Sequence, residues 1–235
     1  ISEVFPQVVW QAEAPLFRTA PAPLFLLSRR VHEDGIKVVM TGEGADEILL
    51  GYDLFRETAI RRFWSRSPNS KWRGSLLRRL YAYLPQYQNP RYFQMLLDFY
   101  KSHLSDNGDP HYAMSVRWAN GIALQSFFSD EMKSFVSAND PVTSLNAILP
   151  ESYKKSDDID RAQWIECQTL LSNYLLSSQG DRMSMAHGVE SRVPFLDHEF
   201  IEFCSRLPRN IKLRGLKDKF ILRKSFAKKL PEEIT

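Results

Sequence analysis

The chain has 235 residues, 43% of them hydrophobic and 25% charged, enough for one sizeable domain or two small ones with a real core. That content excludes general disorder, and no run approaches the 18 consecutive apolar residues that read as a membrane span. Two cysteines, Cys167 and Cys204, make neither a disulfide framework nor a zinc cluster, and the opening residues do not read as a signal peptide. A reducing, cytoplasmic setting is therefore the default expectation. The sequence starts at Ile1 in what reads as mid-domain, so a fragment of a longer protein is expected.

The net charge of +3 is unevenly spread: Arg56 to Leu80 holds eight Lys/Arg and one acid, and Ser205 to Leu230 holds ten and one. Basic segments attract phosphates of any kind. In the first, Phe63, Trp64 and Trp72 interleave with the arginines, which superficially suits RNA. No nucleic-acid motif accompanies them, and an amphipathic helix pair whose arginines snorkel is the favoured reading.

In chain order, Val4 to Trp10 is apolar and of open type. Pro21 and Pro23 mark a break, and Pro23 reads as the first residue of a helix carrying Phe25, Leu26 and Val31, which Gly35 stops. Ile36 to Met40 is short, apolar and β-branched, which predicts a buried strand. It runs into Thr41-Gly42-Glu43-Gly44-Ala45-Asp46-Glu47, then an apolar helical run. That order suits an α/β layer with a parallel sheet. Arg56 to Pro150 reads as mostly helical, broken at 67–70, at Pro85 and Pro90, and at 106–110. Asp157 and Asp197 are predicted to cap helices, the second with Phe200, Ile201 and Cys204 facing inward. A last helix is predicted from Lys219 to Leu230. One strand, at most two, stands among many helices.

The loop after the strand carries the chemistry. Ligands of open parallel sheets bind outside the carboxyl ends of strands, and a loop entering a helix offers N–H groups to an anion. Gly42 and Gly44 permit unusual φ angles and close backbone approach. Glu43, Asp46 and Glu47 repel a phosphate unless a cation intervenes. Mg²⁺ answers that, because it takes one or two carboxylates plus phosphate oxygens. The competing reading is a turn whose acids merely cap the next helix.

The run 41–47, with Gly51-Tyr52 after it, resembles the strand-end loop in the synthetase domain of glutamine-hydrolysing asparagine synthetases. Asp181-Arg182-Met183-Ser184-Met185-Ala186-His187-Gly188-Val189-Glu190, followed by Arg192-Val193-Pro194-Phe195-Leu196-Asp197, is the stronger match. Lys219-Phe220-Ile221-Leu222-Arg223 with Leu230-Pro231 is the third. The resemblance implies an α/β fold, here a mostly helical part (1–235) of a parallel-sheet domain of ATP-pyrophosphatase type, similar to adenine nucleotide α-hydrolases. It implies a ligase that adenylates aspartate with ATP and Mg²⁺, after which ammonia, drawn from glutamine by the parent's glutaminase domain, displaces AMP.

By the same resemblance Asp46 is the Mg²⁺ ligand, Glu43 the carboxylate beside the acyl-adenylate, Lys219 the cation at the transferring phosphoryl group, and Gly42 and Gly44 the backbone of the nucleotide loop. Arg223, one turn after Lys219 on nearly the same helix face, either reaches phosphate or pairs with an acid such as Asp46. Glu190 and Arg192 either grip the amino-acid substrate or form a buried salt bridge, the second being favoured. Asp181 and Arg182 cap and brace a helix. Met183, Met185 and Phe195 read as core, and His187 as a satisfied buried histidine.

Two family features are missing. None of the ten glycines is adjacent to another, so the S-G-G-x-D-S pyrophosphate loop is absent, and no N-terminal cysteine marks a glutaminase. The chain is thus expected to be part of a synthetase domain, truncated at the N-terminus and at the C-terminus as well, and inactive alone. The implied partners are the substrates and a second copy of the parent, with no nucleic acid or membrane. Alternatives are a relative acting on another carboxylate (an amidotransferase or β-lactam synthetase), an inactive remnant or interaction module, and a basic RNA-binding module.

Overall fold

The structure, a computed structural model, describes residues 1–82, 84–105 and 108–231. It divides into two compact units, Asp53–Ala162 as one and Ile1–Tyr52 with the chain from Gln163 onward as the other.

In the second of these, the apolar opening is a helix, α1 (Phe5–Ala12), with Pro6 in its first turn and Val8 and Ala12 buried. Helix α2 spans Pro21–Glu33 and begins at Pro21, two residues before the expected start. A first-turn proline loses nothing, because its missing N–H has no partner there anyway. Gly35 takes φ +78° after this helix, the left-handed turn that glycine makes without strain. Val8, Ala12, Ala22 and Phe25 close on Met183 as one apolar cluster.

Two short strands follow the parallel pattern, β1 (Val38–Met40) and β2 (Glu190–Arg192), with Val39 opposite Ser191. Bonds from Glu190 N to Lys37 O (2.8 Å) and from Thr41 N to Arg192 O (2.9 Å) extend the ladder at both ends. The predicted strand is thus present but shorter, and it is not buried: Val38 is 41% and Met40 80% exposed. A β-branched apolar run reports strand propensity, whereas burial needs layers on both faces. Among the described residues β1 pairs only with β2.

The Asp157 carboxylate accepts from the N–H groups of Ile159 and Asp160 and caps Asp158–Glu166, as expected. That helix runs directly into a π-helix, Cys167–Asp181, which buries Leu171, Tyr174 and Leu175. Asp181 therefore caps nothing. Its backbone is helical and it makes no side-chain cap bond, because no free N–H groups exist in the middle of a continuous helix. Arg182 does brace, through an ion pair to Glu13 at 2.6 Å. Met183 is fully buried, whereas Met185 is 61% exposed. Positions two apart on a helix face different ways, so only one of the two methionines is core. Asp197 caps His198–Arg206 by accepting from Phe200 N at 3.1 Å.

Among the described residues of the unit Asp53–Ala162, the regular elements are all helices. The expected break at 106–110 lies partly outside the described residues. The basic segment here is built into the fold. Arg61 is fully buried and donates to the carbonyls of Tyr112 (3.0 Å) and His103 (3.2 Å) and to Ser115 Oγ (2.9 Å). Arg73 and Arg78 lie over the rings of Phe63 and Phe93, and Arg62 pairs with Asp158. These arginines hold the unit together by cation–π and carbonyl contacts, while Arg66, Lys71 and Arg79 are exposed, as the expected solvated face requires.

Candidate active site

At the end of β1 the chain turns through 41–44 into a one-turn helix, α3 (Ala45–Ile48). The helical run expected after Glu47 is interrupted at 49–52 and resumes as Asp53–Ser65, so a helix dipole contributes little to the site. What organises the turn is close packing. Gly44 sits at φ +87°, and a Cβ on it would overlap the Leu196 side chain. Glycine lets the second motif press directly on the first. Gly42 has open space around its Cα and needs no special φ, so the freedom expected of both glycines is used by Gly44 alone.

Ile48 and Leu49 then join Cys204 in a core cluster, packed by Phe195, Leu196, Phe200, Ile201, Ile221 and Leu222. The three sequence motifs, far apart along the chain, thus meet through their apolar residues. Their polar residues meet as well. Lys219 Nζ stands 2.9 Å from Asp46 Oδ1 in a partly exposed ion pair. Lys219 holds a left-handed conformation at φ 45°, costly for a non-glycine residue, just before the helix Phe220–Phe226. That places the lysine off the helix face. Arg223 does not share its direction, but pairs with Asp218 at 3.1 Å and donates to the Asp218 carbonyl.

Sequence reasoning assigned no role to Gly51. A Cβ there would overlap the Asp46 carboxylate and stand 2.8 Å from Lys219 Cε, so its bare backbone makes room for the ion pair. Tyr52 donates to Glu47 Oε1 at 2.7 Å, and Glu47 is 1% exposed. Gln163 Nε2 donates to the carbonyls of Glu47 (2.7 Å) and Ile48 (3.0 Å), satisfying the end of α3. Tyr52 was in plain view inside the motif. Gln163 carried no local signal, because its partners lie more than a hundred residues away.

The electrostatics follow from crowding. Burial is the largest cause holding the Glu43 carboxyl above its usual range, and the neighbouring carboxylates of Glu47 and Asp46 add to it. Glu47 is raised too, chiefly by burial, against which the Tyr52 hydroxyl works. The Tyr52 hydroxyl is pushed up by burial and by its bond to Glu47. Cys167 is pushed up to about 12 by burial and the nearby Glu47 and Glu166 carboxylates, which leaves it an inert thiol.

Glu190 and Arg192 do form an ion pair, at 2.7 Å, but both side chains are more than half exposed. They flank Ser191 on a strand, so both point to the uncovered face of the sheet. The expected buried salt bridge is therefore a surface one, worth little to stability. His187 is half-buried and satisfied, with Nδ1 2.9 Å from Ser28 Oγ. Burial is the main cause lowering its pKa.

Comparison with known proteins fits these motifs. The Asparagine synthase family model matches residues 1–235. "Amidase chyE" of Penicillium rubens is 28% identical over 251 residues, covering 98% of this chain and 35% of that protein. "Asparagine synthetase [glutamine-hydrolyzing] 1" of Bacillus subtilis is 25% identical over 232 residues, covering 97% and 34%. The asparagine synthetase of Gallus gallus is 43% identical over a shorter stretch of 60 residues, 24% of this chain and 10% of that protein. The chain spans about a third of the length of the curated relatives it matches along its whole length. No solved structure matches it significantly. Matched from its first residue to its last, the chain belongs to the asparagine synthase family.

Proposed function

We propose that this chain is part of an ATP-dependent ligase that activates a carboxylic acid by adenylation and hands the acyl group to ammonia, as an asparagine synthetase does with aspartate and glutamine-derived ammonia. The observation that carries the reading is the Asp46–Lys219 pair in the space that Gly51 leaves, in a chain matched throughout by the family model. Under this reading 1–235 is part of an ATP-pyrophosphatase-type synthetase domain. The pyrophosphate loop and the glutaminase belong to other parts of the parent.

The residues present suit a divalent cation. Glu43, Asp46 and Glu47 crowd one turn, and the neighbouring charges add to the raised proton affinity of Glu43 and Glu47, which a cation relieves. Among the described residues no three His, Cys, Asp or Glu side chains could cage a metal. Mg²⁺ needs only one or two protein carboxylates beside phosphate oxygens, and Asp46 would supply one. When bound, Mg²⁺ neutralises the pyrophosphate and makes it a better leaving group.

The chain's own groups do the rest. Lys219 offers its ammonium to the phosphoryl oxygens as the α–β bridging bond breaks, a fixed charge where negative charge develops. The substrate carboxylate attacks the α-phosphorus, becomes a mixed anhydride, and pyrophosphate leaves. Ammonia then attacks the acyl carbon, the C–O bond to AMP breaks, and the surplus proton passes to Glu43. Its raised pKa makes it a better proton acceptor than an ordinary carboxylate. Gly42 and Gly44 give the loop backbone beside the nucleotide. Arg223, held by Asp218, sets the turn that aims Lys219. Glu190 and Arg192 pair with each other on the exposed face of β2.

Removing one such charge typically costs about 10²–10³ in rate. Lys219→Ala and Asp46→Asn in the full-length protein are expected to cut acid-dependent pyrophosphate release by about that factor while sparing glutamine hydrolysis. Near-normal release in either variant would remove that residue from the site.

A further inference from the structure

A cavity of about 290 Å³ opens beside the strand-end loop. Its walls come from Leu24, Leu27 and Val31 of α2, Val39 of β1, Leu176 of the π-helix and Val189 before β2. Thr41 and Glu43 line it at the loop, and Ser28, Asp181, Ser184 and Ser191 add polar groups along the other walls. The Thr41 hydroxyl is buried without a hydrogen-bond partner in the protein, the kind of orphan a ligand oxygen satisfies. Two serine hydroxyls in the wall are occupied: Ser28 bonds the carbonyls of Phe25 and Met183, and Ser184 those of Gly180 and Asp181.

Glu43 belongs to both features. It lines the cavity, and it feels the charges of Asp46 and Glu47. The cavity and the ion pair therefore adjoin across one loop, and an acyl group in the cavity places its carboxyl where the loop is.

No lysine or arginine lines the cavity. Arg182 is paired with Glu13 and Arg192 with Glu190. A second carboxylate, such as the α-carboxylate of aspartate, would meet leucines, valines and the Asp181 carboxylate with no cation in the wall, which costs more than its contacts return. An apolar body is favoured by about 25 cal/mol per Å² removed from water. As for size, an engineered cavity of about 150 Å³ already holds benzene, so this one takes a ring with a short chain.

We propose that the acyl substrate is a monocarboxylic acid with an apolar, ring-sized body, bound in this cavity with its carboxyl at Thr41 and Glu43. This rests on the adenylating reading above and names its substrate class. The chemistry is unchanged: the acid and ATP give the mixed anhydride and pyrophosphate, and ammonia gives the primary amide and AMP.

The test uses full-length protein, ATP, Mg²⁺ and ammonia, with 4-phenylbutyrate, benzoate, hexanoate and aspartate compared by pyrophosphate release, and acid binding followed by calorimetry. At least a tenfold preference for an apolar acid over aspartate is expected. Leu27→Arg should reduce that preference at least tenfold. Leu27 is 57% exposed on α2, so the fold tolerates the change. Leu24→Ala, which widens the same wall, is the second variant and should shift preference toward bulkier acids. Preference for aspartate overturns the proposal and leaves the ligase intact. Apolar acids that bind, with Leu27→Arg abolishing the binding but no acid releasing pyrophosphate, overturn the ligase reading and leave the cavity's ligand class standing. Neither binding nor release overturns both.

Discussion

Gly51 shows how a residue without a side chain shapes a site. Its amide donates to the Asp46 carbonyl at 2.8 Å, and its missing Cβ is the space that Asp46 and Lys219 fill. Gly51→Ala is expected to separate the pair, and misplacements near 1 Å can cost about 100-fold in rate. Pyrophosphate release that falls on that scale with little change in melting temperature is the expected result. An unchanged rate would contradict it. Glu47 gives a second test, in pH. A carboxyl whose folded-state pKa lies above its ordinary value of 4.5 contributes stability below that value and loses it as pH rises through the raised one. Glu47→Gln has no such loss, so its melting temperature relative to the parent should improve as pH rises from about 4 toward neutrality. A difference that stays constant with pH would contradict the assignment.

Among the elements, those defined by local rules were legible in the sequence. Asp157 and Asp197 cap as expected because an N-cap needs only a short polar side chain and free N–H groups two or three residues on. Asp181 looked the same in sequence and does not cap, since the chain before it is already helical. The contrast makes a prediction. Asp197→Ala should cost about 1 kcal/mol, a fall of about 2–4 °C in melting temperature for a chain of this size. Asp181→Ala should cost nothing of that kind. Equal effects would show that the two residues act alike. Exposure was less legible than element type. Val38 and Met40 read as buried from their own chemistry, but burial belongs to whatever packs against a strand.

For the molecule as a whole, the order of the motifs could be read and their meeting could not. Nothing local says that Leu196 rests against Gly44, that Lys219 reaches Asp46, or that Gln163 holds the carbonyls of Glu47 and Ile48. Each contact joins segments more than a hundred residues apart, where periodicity and capping rules carry no information. The unit Asp53–Ala162 went the other way, since its helices were legible but its buried Arg61 network was not. The central claim is that the site joins a carboxylate to AMP. The direct measurement supplies the full-length protein with ATP, ammonia and an acid labelled with oxygen-18 in its carboxyl group, and follows the label by mass spectrometry. The account predicts one labelled oxygen in AMP and none in pyrophosphate. Label in inorganic phosphate, with ADP as the nucleotide product, would contradict it.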